Sequence, residues 1–229
     1  MSMHVLLKLF SLLALGFPLL SLADGAAIAQ QQCAGCHALE QPDYAALGIA
    51  ERSQRQGPPL YYAGNKFRQT WLAAWLQKPV RLRPGGSFPP AHTQQTEEGD
   101  RIDASSLAEH IVLAAEPARQ VAEYLMSLQA HNALLEQDSY QPGKIALRMG
   151  KMDFRKFKGC NACHQDAPET GGMSGPELYT AWQRLQPAFI SSYIKDPTAW
   201  DPHSMMPVLK VKDAAVHKLV NYLKAIGEQ

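Results

Sequence analysis

Cys33-Ala34-Gly35-Cys36-His37 and Cys160-Asn161-Ala162-Cys163-His164 each place a histidine directly after two thiols that are three residues apart. Positions i and i+3 share one face of a helical turn, so both sulfurs of a pair can reach two neighbouring groups along one edge of a planar ligand. The histidine that follows can then offer a neutral imidazole nitrogen to a metal at the ligand's centre. This is the attachment chemistry of haem c, in which two thioethers form at the vinyl groups and the imidazole binds iron. A thioredoxin-like redox pair or half of a zinc site would also use Cys-x-x-Cys, but neither requires His after both pairs, and neither accounts for the duplication. All four cysteines of the chain lie in the two motifs, so no disulfide framework remains. Cys33, Cys36, Cys160 and Cys163 are therefore expected to hold two covalent haems, with His37 and His164 as iron ligands.

The elements around the motifs occur twice in the same order, an internal repeat of domain size. After the first motif come Gly57-Pro58-Pro59-Leu60, a tryptophan-bearing helix around Thr70 to Gln77, Pro79, a loop rich in Pro and Gly, and a closing helix with Val121, Tyr124, Leu125 and Leu128. After the second come Gly175-Pro176-Glu177-Leu178, a helix around Pro187 to Ile194, Pro197, the loop Trp200 to Pro207, and a closing helix with Val216, Leu219, Val220, Leu223 and Ile226. The three- and four-residue apolar spacing of the closing segments predicts amphipathic helices. Each would pack on a helix preceding its motif, most clearly residues 143–157 in the second half. Strands have no support beyond short stretches. The polar segment 130–142 reads as the linker.

Each half resembles a class I cytochrome c domain, and the whole chain resembles a tandem dihaem cytochrome c. The resemblance implies a mainly α fold of two cytochrome c-like domains in tandem, each wrapped round one covalently bound haem, over residues 24–138 and 139–229. It also implies a sixth iron ligand, a Met before Pro in the loop ahead of the closing helix. In the second half Met206-Pro207 fits that pattern, with Met205 and His203 as rivals. A thioether there would give a higher reduction potential than a second imidazole. In the first half Phe88-Pro89 stands at the corresponding place, and phenylalanine has no donor atom. His92, four residues on, is the expected substitute, His110 is its rival, and an open or water-bound iron is the third possibility. Met126 falls in a helical pattern and reads as core.

Residues 1–23 combine a short cationic start, an apolar stretch from Leu9 to Leu22 broken by Pro18, and the exit Ser21-Leu22-Ala23. That is the pattern of a signal peptide cleaved after Ala23, which implies export to the periplasm and no membrane span in the mature chain. Lys+Arg 22 against Asp+Glu 21 excludes a generally basic nucleic-acid binder. The charge is nevertheless uneven. Residues 24–131 carry nine basic and eleven acidic side chains, and residues 145–229 carry eleven and eight. Lys195, Lys210, Lys212 and Lys218 surround the second ligand loop and could steer an acidic redox partner, whereas the acidic insertion between Thr93 and Asp103 reads as a solvated loop. The expected partners are redox proteins: a dehydrogenase, a quinol-oxidising complex or a terminal acceptor. The expected function is electron transfer through two haems; the alternative is a haem enzyme, peroxidase-like or small-molecule-binding, with an open first iron.

Overall fold

The computed structural model describes the backbone of residues 17–229 and the side chains of residues 24–229. The expected leader, residues 1–23, has no described side chains. The described chain is mainly helical, in the order α1 (Phe17–Gln32), α2 (Ile49–Ser53), α3 (Ala63–Lys66), α4 (Gln69–Gln77), α5 (Ala115–Ser127), α6 (Asn132–Glu136), α7 (Leu147–Met152), α8 (Ala181–Arg184), α9 (Pro187–Lys195), α10 (Pro197–Trp200) and α11 (Asp213–Gly227). Two antiparallel hairpins complete it: β1 (Thr93–Thr96) with β2 (Gly99–Ile102), and β3 (Gln165–Ala167) with β4 (Thr170–Gly171). Among the described residues no helix is long and apolar enough to cross a membrane.

The closing helices form where the apolar spacing places them. Ala118, Val121, Ala122 and Leu125 are buried along one stripe of α5, and Val216, Leu219, Val220 and Leu223 along one stripe of α11. The α5 stripe packs on α1 and α4, and the α11 stripe on α7, α8 and α9. The two N-terminal crossings are close for the same reason. A Cβ on Gly25 would stand 2.1 Å from the Gln120 carbonyl oxygen, and one on Gly150 would stand 2.4 Å from Cδ2 of Tyr222. Ahead of the second motif the expected helix is shorter than its pattern. Residues 143–146 lie outside the helix, and α7 passes into a π-helical turn, Asp153–Phe157, that buries Phe154.

Two polar segments carry secondary structure of their own. The insertion after Thr93 is an ordered hairpin with Thr93 opposite Ile102 and Thr96 opposite Gly99, its turn made possible by Gly99 at φ +110°. The polar segment 130–142 contains α6, which lies against α9, where Asp138 accepts a hydrogen bond from Ser191 (2.7 Å). Its sequence is polar because one face of this short helix is solvated.

The halves meet through equivalent segments of the repeat. Phe67 bridges Leu185 in antiparallel fashion, the Arg68 N–H donates to the Arg184 carbonyl and the Gln186 N–H to the Lys66 carbonyl, both at 2.9 Å. The offset that carries Gly57 onto Gly175 also carries Phe67 onto Leu185 and exchanges these two bonds, so the junction has local two-fold symmetry. Around it Trp200 is wholly buried, edge-on to Tyr62 and Phe189, and Tyr61 Oη donates to the Trp200 carbonyl. Arg55 pairs with buried Asp201 at 2.7 Å across the same junction. One contiguous apolar core consequently runs through both halves.

Candidate functional site

Both thiol–imidazole motifs fold into the same backbone turn. The N–H groups of Cys36 and His37 donate to the Cys33 carbonyl at 3.1 and 3.0 Å; those of Cys163 and His164 donate to the Cys160 carbonyl at 3.2 and 3.0 Å. The turn points the following imidazole inward and leaves all four cysteines outside any disulfide, with the Cys36 thiol donating to Gln56 Oε1 at 3.0 Å. Burial pushes the Cys33 thiol up from its ordinary value and Cys160 up to about 11, so both are protonated at neutral pH.

The two histidines are held alike. His37 Nδ1 lies 2.7 Å from the Pro58 carbonyl oxygen, and His164 Nδ1 lies 2.7 Å from the Pro176 carbonyl oxygen. A carbonyl only accepts, so Nδ1 carries the proton and Nε2 presents its lone pair. Burial lowers both imidazoles below their ordinary pKa, partly opposed by these bonds, which favours the neutral form that can ligate a metal. The Gly-Pro turn is what lets the carbonyl come so near. A Cβ on Gly57 would lie 2.2 Å from His37 Cε1, and one on Gly175 would lie 2.6 Å from His164 Cε1.

Both imidazoles and all four cysteines border a single cavity of about 1460 Å³. A pocket for one small ligand is typically about 300–1,000 Å³, so this one is large for a single occupant. Apolar side chains dominate its walls, among them Leu72, Leu76, Leu125, Phe189, Leu219 and Leu223. Its lining also includes Lys66 and Arg184, which sit at the symmetric junction, together with Arg83 and Arg55. Burial, reinforced by mutual repulsion, pushes Lys66 well below its ordinary pKa and lowers Arg184. Arg184 is compensated by Glu177 at 3.5 Å and Arg55 by Asp201. Among the described residues no carboxylate pairs with Lys66 or Arg83; Lys66 lies over the Phe67 ring at 4.9 Å. A largely apolar cavity with cations that lack a direct carboxylate partner suits an occupant that is largely apolar but carries anionic groups.

The expected second ligand loop lines the same cavity through His203, Met205 and Met206. Met206 is half-buried, its N–H donating to Ser204 Oγ at 3.2 Å; Met205 is 49% exposed. In the first half His92 and Phe88 are outside the lining and His110 is within it. His92 Nδ1 is 2.8 Å from Ser106 Oγ. His110 is exposed, with its ring 6.2 Å from that of His37 between centroids. The central cations escaped the sequence reading. The usable signal was that Lys66 and Arg184 are equivalent positions of the repeat, both basic within apolar surroundings. Of the lysines near the second loop, Lys195 is tied to Asp213 (3.1 Å), while Lys210, Lys212 and Lys218 are exposed.

No protein family, curated protein or solved structure matches this chain.

Proposed function

We propose that the chain is an exported, periplasmic dihaem cytochrome c that passes electrons between redox proteins, built of two class I cytochrome c-like domains over residues 24–138 and 139–229. The observation that carries this reading is the duplicated unit of Cys-x-x-Cys-His turn and backbone-locked imidazole, both copies bordering one apolar cavity. The donor set fits haem c: two thiols per site for thioethers, and a neutral imidazole with Nε2 free for iron. Lys66 and Arg83, which lack a direct carboxylate partner, fit its anionic propionates. Haem iron supplies the one-electron chemistry when bound.

The chain's own residues do the rest. Pro58 and Pro176 orient His37 and His164 through their carbonyls and raise their basicity, as partners of a metal-bound imidazole commonly do. The apolar walls exclude water, and the central cations favour the reduced, less positive state. Met206 completes the second site in this reading. Beside it the exposed apolar Met205, Val208 and Leu209 lie among Lys210, Lys212 and Lys218, a surface suited to an acidic redox partner.

The test is half-site removal in a host that attaches haem c. Cys160→Ser/Cys163→Ser and Cys33→Ser/Cys36→Ser should each retain one covalent haem and lose electron exchange at the other. Retention of both haems in either variant contradicts the proposal.

A further inference from the structure

Three histidines on the cavity wall have Nδ1 against a main-chain carbonyl: His37 on Pro58, His164 on Pro176, and His110 on Ile111 at 2.8 Å. The first two follow the cysteine pairs; His110 belongs to no attachment motif. Its Nδ1 must donate, so its Nε2 also presents a lone pair. The ring is held from the side by Trp75, edge-on at 4.6 Å, and Trp75 is fixed by its indole N–H donating to the Val80 carbonyl at 3.1 Å.

The separation of His110 from His37 has a chemical meaning. Two imidazoles on opposite sides of one metal, each bonded through nitrogen at about 2.0–2.1 Å and with a ring radius of about 1.1 Å, have centroids about 6.3 Å apart. The observed distance is 6.2 Å, with the ring planes inclined at 54°. Ring centroids in direct packing span the same range, 4.6 Å for Trp75–His110 and 6.4 Å for Tyr62–Phe189, so what marks this pair is the lone pair each imidazole presents together with the spacing. A gap of this size between two lone-pair-bearing imidazoles on one cavity wall matches a metal between them.

We propose that His110 is the sixth ligand of the first haem, which is thereby a bis-histidine centre. The assignment rests on the dihaem reading above. It also accounts for Phe88. In the loop that would otherwise carry a thioether, Ser87 and Pro89 line the cavity but Phe88 between them does not, and the hairpin β1–β2 separates this loop from the segment that brings in His110. His92 is placed otherwise. Its Nδ1 faces Ser106, and its Nε2 lies 3.2 Å from where a Cβ on Gly86 would be, so the imidazole is directed at main chain. With two imidazoles on the first iron and a thioether on the second, the first haem has the lower potential and electrons run from it to the second.

The test uses the full-length haem-loaded protein and the variants His110→Ala, His110→Met and His92→Ala. They are read by optical and electron paramagnetic resonance spectra, carbon monoxide binding and redox titration. Wild type should show two low-spin haems and no rapid carbon monoxide binding. His110→Ala should turn one haem of the two high-spin and open to carbon monoxide, and added imidazole should restore its low-spin spectrum. His110→Met, which keeps a donor atom in place, should raise the lower of the two potentials and leave the higher one unchanged. His92→Ala should match wild type. A His110→Ala protein with two unchanged low-spin haems overturns the assignment and leaves the dihaem reading standing, as does conversion by His92→Ala instead. A wild-type protein without covalent haem, seen by mass before any variant is compared, overturns both.

Discussion

Replacing Gly57 by alanine tests whether the turn after the first motif exists to set the imidazole. The added Cβ would meet His37 at Cε1 (2.2 Å), Nδ1 (2.5 Å) and Nε2 (2.9 Å), whereas ordinary contact begins at 3.4 Å. The ring must therefore retreat by about 1.2 Å, which breaks the 2.7 Å bond from Nδ1 to the Pro58 carbonyl. Overpacking costs about 1–3 kcal/mol and the lost hydrogen bond about 0.5–1.5 kcal/mol, so the variant should lose about 2–4 kcal/mol. For a chain of this length that lowers Tm by about 4–16 °C. Gly35→Ala is the internal control, because a Cβ there meets nothing within 4 Å. Thermal unfolding followed by circular dichroism, with the haem absorption spectrum recorded alongside, reads both effects. Gly57→Ala should be less stable and its first-site spectrum shifted, and Gly35→Ala should match wild type. A Gly57→Ala protein with unchanged Tm and spectrum would refute the claim that close approach of this turn positions His37.

Other perturbations probe separate parts of the architecture. Asp166, buried, accepts from Arg155 at 2.9 and 2.6 Å and from Tyr222 at 2.7 Å. Burial alone would raise its pKa, but these three bonds more than offset it and hold the carboxyl below its ordinary value. Its contribution is thus complete above the ordinary Asp pKa of about 3.9 and is lost as pH falls through the depressed folded value. Asp166→Asn should cost about 1–3 kcal/mol at neutral pH, since the Arg155 left behind is partly exposed, and flatten the acid limb of a urea-unfolding stability profile. Arg55→Met strands Asp201 at the junction of the halves and should raise proteolytic cleavage there; the double variant with Asp201→Asn should recover part of the loss. Lys66→Met removes a cation without a direct carboxylate partner from the cavity, so it should stabilise the haem-free chain yet lower haem midpoint potentials in a redox titration.

The attachment turns and the closing helices were legible because each depends on local spacing. Cys-x-x-Cys-His fixes its own turn, and Val121/Leu125 or Val216/Leu223 mark a buried stripe whatever it packs against. Residues 93–103 were read as loop because β1 is Thr-Gln-Gln-Thr, with no apolar face to give a strand period; only the Gly99 turn closes it. The symmetric junction at Phe67 and Leu185 was invisible because those residues pair across the repeat, at a distance in sequence that no local pattern encodes. The proposal of His110 over His92 likewise rests on contacts that no local pattern encodes. Loop position favoured His92, but the hairpin turns it towards Gly86 and Ser106 and delivers His110 to within 6.2 Å of His37.

The number of haems per chain is the most direct test of a dihaem protein. Intact mass of the protein purified from a haem c-competent host, with haem iron quantified by absorption on the same sample, should give two covalent haems per polypeptide. Two bare motifs with free thiols in that protein would contradict it.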